Sequence, residues 1–441
     1  MSLQAFSTYL SRRTLFGIAG GMTIAGALAG CSGVSTTGGK GGDAMLFSTQ
    51  FTPIEEKQRF EQVLAAYVTD PKTSFSSVAV AEFTTSLKTQ VDAKQLQFTV
   101  AGALHGDLTP MPEYLEDIDD LVADASAAGI PQSMLDLGKL GGSTQKYIPW
   151  MQATYVVAVN KKALEWLPAG ADVNALTYDQ YLEWAKAANK ANGKPVFGFP
   201  AGPKGLYHRW FQGYLLPSFT GAQVTRFTSD DAMTGWAWMQ EFWAQCNPAS
   251  TNYDNLQEPL ARGEILVGWD HVARLVEAPK EKPEDWIMVP APTGPMGLGY
   301  MLIVGGLAVP KGGDKALAAK VIKALSAPAA QIELLKQNAF FPVVKADLPD
   351  DLPAPVKLEA QAVAAQADSP KALLSLPPIG LGAKDGEMSQ VFKDCFNEIC
   401  LQGNAPKTVV PKYAATIATI LEAAQVPCWS PDPAAAVCKV G

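Results

Sequence analysis

The feature that most constrains the fold of this chain is a regular alternation of apolar, strand-like runs with segments of helical periodicity. Residues 45–49, 78–81 and 98–101 are short apolar runs typical of buried strands. Between the first two runs, residues 60–67 repeat large apolar side chains at the i, i+3, i+4, i+7 spacing of one helix face, and residues 86–95 are also predicted helical. This order predicts an α/β fold, with mostly parallel sheets flanked by helices.

The same alternation continues through the rest of the 441 residues. Further strands are predicted at residues 155–159, 265–269 and 302–309. Thr177 and Gln180 have the spacing of a capping box, and Ser229 is predicted to begin another helix. Single helices are predicted over residues 315–336 and 412–424. Because no repeat of 20–50 residues is visible, a solenoid is not expected.

Strand order indicates where a ligand would bind. In open α/β sheets, ligands bind at the carboxyl ends of the strands, so the residues that follow each strand are the first candidates. These candidates are Gln50, Phe51, Glu82, His105, Asp107, Trp269 and Asp270. Aromatic rings mixed with polar groups suit a polyhydroxyl ligand, since rings stack on apolar sugar faces while polar groups bind hydroxyls.

Charge and composition exclude several classes of function. The net charge is −8, only 18% of residues are charged, and no basic block occurs, so a nucleic-acid partner is not expected. Three histidines, with no partners at metal-ligand spacing, argue against a metal site. No phosphate-binding or dinucleotide-binding glycine motif is present, and no cofactor is expected.

The first 30 residues have the pattern of an export signal. Arg12 and Arg13 precede an uncharged run, rich in Gly and Ala, that ends immediately before Cys31. This pattern predicts a twin-arginine lipoprotein signal peptide over residues 1–30, with the lipid on Cys31 and a flexible tether over residues 31–43. A retained membrane helix is the alternative, which the many glycines disfavour. The protein is therefore expected outside the cytoplasm, anchored to the cell membrane by its lipid.

Five cysteines remain besides Cys31. Cys428 and Cys438 bracket a proline-rich terminal segment and are the best disulfide candidates, because a bridge would fix a segment with little core. The pairing of Cys246, Cys395 and Cys400 stays open.

Several segments resemble the extracellular family 1 solute-binding proteins of sugar-type ABC importers. The similar segments are residues 155–164, 177–188, 261–269, 305–312, 327–334 and 340–343. The resemblance implies a two-lobed periplasmic-binding-protein fold with a ligand cleft between the lobes. It further implies a monomeric, non-catalytic receptor that delivers a carbohydrate, whether sugar, amino sugar or oligosaccharide, to ABC permease subunits and their ATPase.

The resemblance also implies a division of the chain. Lobe 1 is expected at residues 44–153 plus 302–368, lobe 2 at residues 154–301 plus 369–427, and a tail at residues 428–441. Crossings between the lobes are expected near Ala153 and Thr154, over residues 301–305, and over residues 369–377.

Further ligand candidates lie beside these crossings. Trp150, Trp210 and Tyr300 join Trp269 as candidate stacking rings, each with a packing role in the core as the alternative. Trp236, Trp238 and Trp243 share a helical stripe and are expected in the core. Gly305 and Gly306 either let the backbone approach a ligand or permit hinge torsions.

Three other functions compete with sugar binding. One is binding of a glycerophosphodiester or another phosphorylated solute, with charge from Lys204, Arg209 or Arg262. Another is a secreted glycosidase, although no local motif pairs Glu82, Asp107 and Asp270 as that chemistry requires. The third is a docking lipoprotein without a small ligand.

Overall fold

The computed structural model describes residues 42–52, 54–381 and 384–441, and these described residues form one compact unit. The predicted export signal and the lipidation site Cys31 lie outside the described residues. Within them, none of the helices combines the length and apolar character needed to cross a membrane.

Strands and helices alternate as the sequence predicts. The strands are β1 Ala44–Ser48, β2 Thr73–Ser77, β3 Val100–Leu104, β4 Tyr147–Ala153, β5 Tyr155–Asn160, β6 Phe197–Gly198, β7 Val267–His271, β8 Trp286–Val289, β9 Leu298–Met301, β10 Ile303–Ala308 and β11 Ala372–Ser375. The α-helices are α1 Ile54–Tyr67, α2 Val80–Ala93, α3 His105–Leu108, α4 Val122–Ala127, α5 Gln132–Leu137, α6 Tyr178–Asn192, α7 His208–Trp210, α8 Leu216–Thr220, α9 Asp230–Trp243, α10 Gln257–Ala261, α11 Lys315–Ser326, α12 Pro328–Asn338, α13 Ala354–Ala367, α14 Asp385–Phe396 and α15 Pro406–Ala424.

Two larger sheets form the cores of the two lobes. The first has the order β2-β1-β3-β10-β4, and the second has the order β6-β7-β5-β8. The predicted two-lobed α/β fold is confirmed, but the sheets are mixed rather than mostly parallel. Strand β10 is antiparallel to β3 and β4, and β5 is antiparallel to β7 and β8, because each of them enters its sheet from the other lobe and runs away from the boundary.

Local signals in the sequence account for several helix ends. The capping box of α6 is confirmed. The Thr177 hydroxyl accepts from the Gln180 backbone amide at 3.2 Å, and the Gln180 side-chain oxygen accepts from the Thr177 backbone amide at 2.9 Å. Ser229 caps α9 as expected. The predicted single helix over residues 315–336 is broken at Ala327, which is extended because the following Pro328 disfavours the helical region.

The strand predicted over residues 78–81 is wrong. The strand is β2, Thr73–Ser77, which pairs in parallel with β1, while α2 begins at Val80. Only Phe75 of the five β2 residues is buried, so the segment lacks the apolar run by which a strand is recognised from sequence.

The crossing from β4 to β5 is a single residue, Thr154. Its hydroxyl donates to the Met301 carbonyl at 2.6 Å, lies 3.1 Å from the Tyr214 hydroxyl and accepts from the Gln366 amide at 3.3 Å. Met301 is the last residue of β9, which pairs with β11 in a separate two-stranded sheet and leads through Leu302 into β10. This one hydroxyl therefore links the β4–β5 connection to the β9–β10 connection. Gln366 belongs to α13, which packs against β8 of the second sheet although the boundaries expected from sequence place it with lobe 1. The lobe boundaries stay a prediction.

The last residues of the chain are bonded to the second half of the molecule. Cys428 and Cys438 are joined by a disulfide, while Cys246, Cys395 and Cys400 carry free thiols. Asp432 is buried and accepts hydrogen bonds from the backbone amides of Gln223, Val224 and Thr225 and from the Thr225 hydroxyl. These bonds fix residues 428–441 on the loop between α8 and α9.

Candidate functional site

Carboxyl ends of strands from both sheets meet at the boundary between the lobes. Strands β3 and β7 run toward the crossings, because β3 is antiparallel to β10 and β7 is antiparallel to β5, and both β10 and β5 begin at a crossing. Strand β1 is parallel to β3 and therefore runs in the same direction. The ring of Phe340, beside β4, lies 6.1 Å from the ring of His271 at the end of β7. The loops after these strands therefore form the candidate site.

The first lobe contributes a half-buried carboxylate held by local donors. The Asp107 carboxylate accepts from the Thr49 hydroxyl at 3.2 Å and from the Leu104 amide at 3.3 Å. Gln50 donates to the same Thr49 hydroxyl at 2.9 Å. Burial raises the pKa of Asp107 to about 6, against the lowering effect of these two donors. Gln50, Thr49 and Asp107 are thus one polar network at the ends of β1 and β3.

His105 is part of the same loop but faces the interior of the lobe. Its Nδ1 lies 2.8 Å from the Tyr147 hydroxyl, and burial lowers its pKa to about 4, so the imidazole is neutral at physiological pH. A side chain at Gly306 would overlap the Tyr147 ring, and one at Gly305 would approach the Met151 side chain to 2.6 Å. Both glycines therefore make room for neighbouring side chains of β4.

The second lobe contributes an aromatic cluster around Trp269. The ring of Trp269 stacks on Tyr155 at 4.7 Å and meets Trp210 and Tyr214 edge-on at 5.0 and 5.1 Å. Phe199 lies at 6.1 Å. Trp269 is only 1% exposed, so neighbouring rings cover it.

Several polar atoms of this region have no hydrogen-bond partner although they are buried. They are the Nδ1 atom of His208, the Nε1 atoms of Trp210 and Trp269, and the Nε2 atom of Gln212. Burying a polar hydrogen without an acceptor costs about 1–3 kcal/mol, so such groups call for an explanation. Three of the four are donor nitrogens of residues on or beside α7 and β7, at the lobe boundary.

The end of β7 carries a second carboxylate, which is fully buried. Asp270 accepts from the amides of Leu256 and His271 at 2.8 and 2.7 Å, and Arg274 lies 3.9 Å away. Burial raises the pKa of Asp270 to about 6. His271 accepts a backbone hydrogen bond through Nδ1, and burial lowers its pKa to about 3. Among the described residues no group of three or more metal-ligating side chains is present.

Arg209 is a positively charged side chain whose field reaches across the boundary between the lobes. It is half-buried, and its guanidinium donates to the Gln212 side-chain oxygen at 2.9 Å. Its charge lowers the pKa of Asp107 in the other lobe, a smaller effect than burial. The arginine ion pairs in the described part of the chain involve Arg226, Arg262 and Arg274.

The remaining candidates lie elsewhere or are covered. The sequence analysis expected Glu82 directly after a strand, which is wrong. Glu82 is exposed in the first turn of α2. Phe51 and Trp150 pack together in an aromatic cluster of the first lobe, with their rings 6.4 Å apart. Tyr300 is half-buried in β9. The ligand contacts assigned to all twelve candidates stay predictions.

Sequence reasoning missed two residues of the site. Thr49 is the donor that links Gln50 to Asp107, and Gln212 is the acceptor of Arg209. An Arg and a Gln three positions apart fall on one helix face, which is the signal that could have identified this pair.

Comparisons with known proteins agree with this geometry. The family model "Bacterial extracellular solute-binding protein" matches residues 53–332. A search of curated proteins found none with significant similarity. Among solved structures, maltose-bound MalE3 of T. maritima is 18% identical, with a TM-score of 0.66, covering 86% of this chain and 100% of its own.

Two further solved structures show the same fold. The sugar-binding protein MalE from Xanthomonas citri is 16% identical with a TM-score of 0.68, covering 86% of this chain and 98% of its own. UgpB from Mycobacterium tuberculosis, in complex with glycerophosphocholine, is 15% identical with a TM-score of 0.66, covering 87% and 99%.

Proposed function

Because the chain belongs to the bacterial extracellular solute-binding protein family, we propose that it captures a carbohydrate between its lobes and delivers it to the permease of an ABC importer. The lobes part to admit the sugar and close over it by rotation at the crossings. The role is one of binding, without a cofactor.

The observation that carries this proposal is the set of unpartnered N–H groups among stacked rings in the second lobe. The indole nitrogens of Trp210 and Trp269 and the amide of Gln212 are donors that lack acceptors. Sugar oxygens are acceptors, and the apolar faces of a sugar ring pack on aromatic side chains. A sugar would therefore satisfy both properties of the region at once.

The location of the protein is part of the proposal. The signal pattern before Cys31 supports export and a lipid anchor on that cysteine. Replacing Cys31 by Ser should move the protein from the membrane fraction to the soluble fraction of the producing cells. Retention of the variant in membranes would contradict the anchor.

A thermal-shift screen tests the binding role. Neutral sugars, amino sugars, oligosaccharides and glycerophosphodiesters are added to the purified protein, and a ligand that binds only the folded state raises the melting temperature by mass action. We expect a shift with one class of carbohydrate. Cooperative unfolding without a shift for any of these compounds would contradict the proposal.

A pair of tryptophan variants places the ligand. Trp269→Ala should weaken binding of the sugar identified in the screen by about 1–3 kcal/mol, the typical value for loss of a large apolar contact. Trp184→Ala is the matched control, because Trp184 is equally buried in the same lobe but its indole nitrogen donates to the Ala163 carbonyl at 2.8 Å. Equal effects of both variants on affinity would assign Trp269 to the core alone.

A further inference from the structure

The most informative group at the lobe boundary is the guanidinium of Arg209. It is half-buried and has no carboxylate within 4.0 Å among the described residues, whereas on the surface Arg226 has one and Arg262 has two. A cation removed from water without an anion is costly, so a buried arginine is normally paired. Arg209 instead uses one N–H on the neutral Gln212 oxygen.

Gln212, three residues after Arg209 in the sequence, adds an unpartnered N–H donor to the same region. It is fully buried, and its side-chain oxygen accepts from Arg209, so only its amide nitrogen is left to bind another group. That nitrogen has no acceptor. The Nε1 atom of Trp210, between these two residues in sequence, is also unpartnered. The three side chains together offer several N–H groups and no free acceptor oxygen.

Nearby charges do not satisfy Arg209. Asp107 is engaged by Thr49 and the Leu104 amide, and Asp270 by two backbone amides with Arg274 at 3.9 Å. Asp385 lies near enough to raise the pKa of Asp107 but forms no ion pair with Arg209. Lys393 adds a further positive charge, 5.1 Å above the ring of Tyr207.

We infer that the carbohydrate bound here carries an acidic oxygen group, a carboxylate or a phosphate, and that Arg209 and the Gln212 amide bind it. This inference rests on the proposed function and narrows its ligand class. A neutral hydroxyl would use one donor of the cluster, whereas an oxyanion accepts several N–H bonds and neutralises the guanidinium. The planar, two-pronged guanidinium matches both carboxylate and phosphate oxygens.

Calorimetric titration of the full-length protein with matched ligands tests the inference. Glucose and maltose are compared with their uronic acid and phosphate counterparts, at low and high salt. We expect at least one acidic counterpart to bind about tenfold more tightly than its neutral parent, and salt to reduce that advantage. Whichever series binds more tightly, the uronic acids or the sugar phosphates, identifies the acidic group that the protein recognises.

Variants assign the effect to the residue. Arg209→Gln should lower affinity for the acidic sugar about tenfold or more and change affinity for the neutral parent much less. Arg226→Gln is the matched control, since Arg226 is exposed in the same half of the chain and paired with Asp231. If Arg209→Gln does not fold, as judged by circular dichroism, Arg209→Lys keeps the charge and should lose affinity through the missing second N–H contact.

The outcomes separate the inference from the proposed function. Equal binding of neutral and acidic sugars, or an Arg209→Gln variant with unchanged preference, would overturn the inference and leave sugar binding intact. Binding of no sugar, neutral or acidic, would overturn the proposed function. Binding of a glycerophosphodiester alone would show that the ligand is not a carbohydrate, and would contradict both the proposed function and the inference.

Discussion

Two regions of the molecule bury tryptophan and glutamine side chains with opposite results for their nitrogen atoms. In the tail region, the indole of Trp429 donates to Gln223 at 2.9 Å, Gln223 donates to two carbonyls, and Asp432 accepts from three backbone amides. In the cleft region, the corresponding nitrogens of Trp269 and Gln212 have no partner.

The difference shows that burial alone does not decide whether the fold satisfies a polar side chain. The fold itself supplies every partner of the tail residues named above, so these residues hold the chain in place. At the proposed cleft the fold supplies covering rings but leaves donors unmatched, as our proposal expects of a site that a ligand would complete. The comparison therefore predicts stability effects in the tail and binding effects in the cleft.

The largest expected effect is in the tail. Asp432→Ala leaves the amides of Gln223, Val224 and Thr225 without their acceptor and should lower the free energy of unfolding by about 3–5 kcal/mol, the range for breaking a buried charged network. Chemical denaturation measures the change, with the exposed Asp347→Ala as control. Ligand affinity of the folded variant should not change. A loss below 1 kcal/mol would break the comparison.

The next effect is a pH dependence in the cleft. Burial raises the pKa of Asp107 from 3.8 to about 6, so the folded state binds the proton more tightly than the unfolded state. Stability from this group is present below about pH 4 and is lost as pH rises through 6. Asp107→Asn removes that loss and should be more stable than the unaltered protein at pH 7.5, by at most about 3 kcal/mol.

The same two proteins, unfolded at pH 5 and pH 7.5, provide the check on this sign. The advantage of Asp107→Asn should shrink at pH 5, because the native carboxyl is then largely protonated in the fold. If the stabilities of the two proteins changed equally between pH 5 and pH 7.5, Asp107 would make no pH-dependent contribution to the free energy of unfolding. Asparagine can still accept both hydrogen bonds, since Thr49 and the Leu104 amide donate to one oxygen.

The smallest effect compares the two glutamines directly. Gln212→Leu removes an unsatisfied buried N–H together with the oxygen that accepts from Arg209, so it should change the free energy of unfolding of the ligand-free protein by less than about 1 kcal/mol while weakening ligand binding. Gln223→Leu removes only satisfied hydrogen bonds and should lower the free energy of unfolding by about 1–2 kcal/mol without affecting affinity. Thermal unfolding with and without ligand measures both. Equal losses of stability in the two variants would contradict the comparison.

Sequence predicted what depends on local chemistry and on apolar pattern. The cap at Thr177 follows from neighbouring residues alone, whereas β7 continues through Asp270 to His271, two residues beyond the end predicted from its apolar run. Strand β2 was missed because its partner β1 lies about 30 residues away and only one β2 side chain is buried. The unpartnered nitrogen of Gln212 could not be predicted, since it depends on which atoms fail to meet in three dimensions.

The hydroxyl of Thr154 has a mechanical consequence. Because it bonds the Met301 carbonyl, the Gln366 amide and the Tyr214 hydroxyl, the β4–β5 connection, the end of β9 and helix α13 are joined at one atom. None of these segments can shift against the others without breaking one of the three bonds. The lobe closure proposed above would therefore have to move them together.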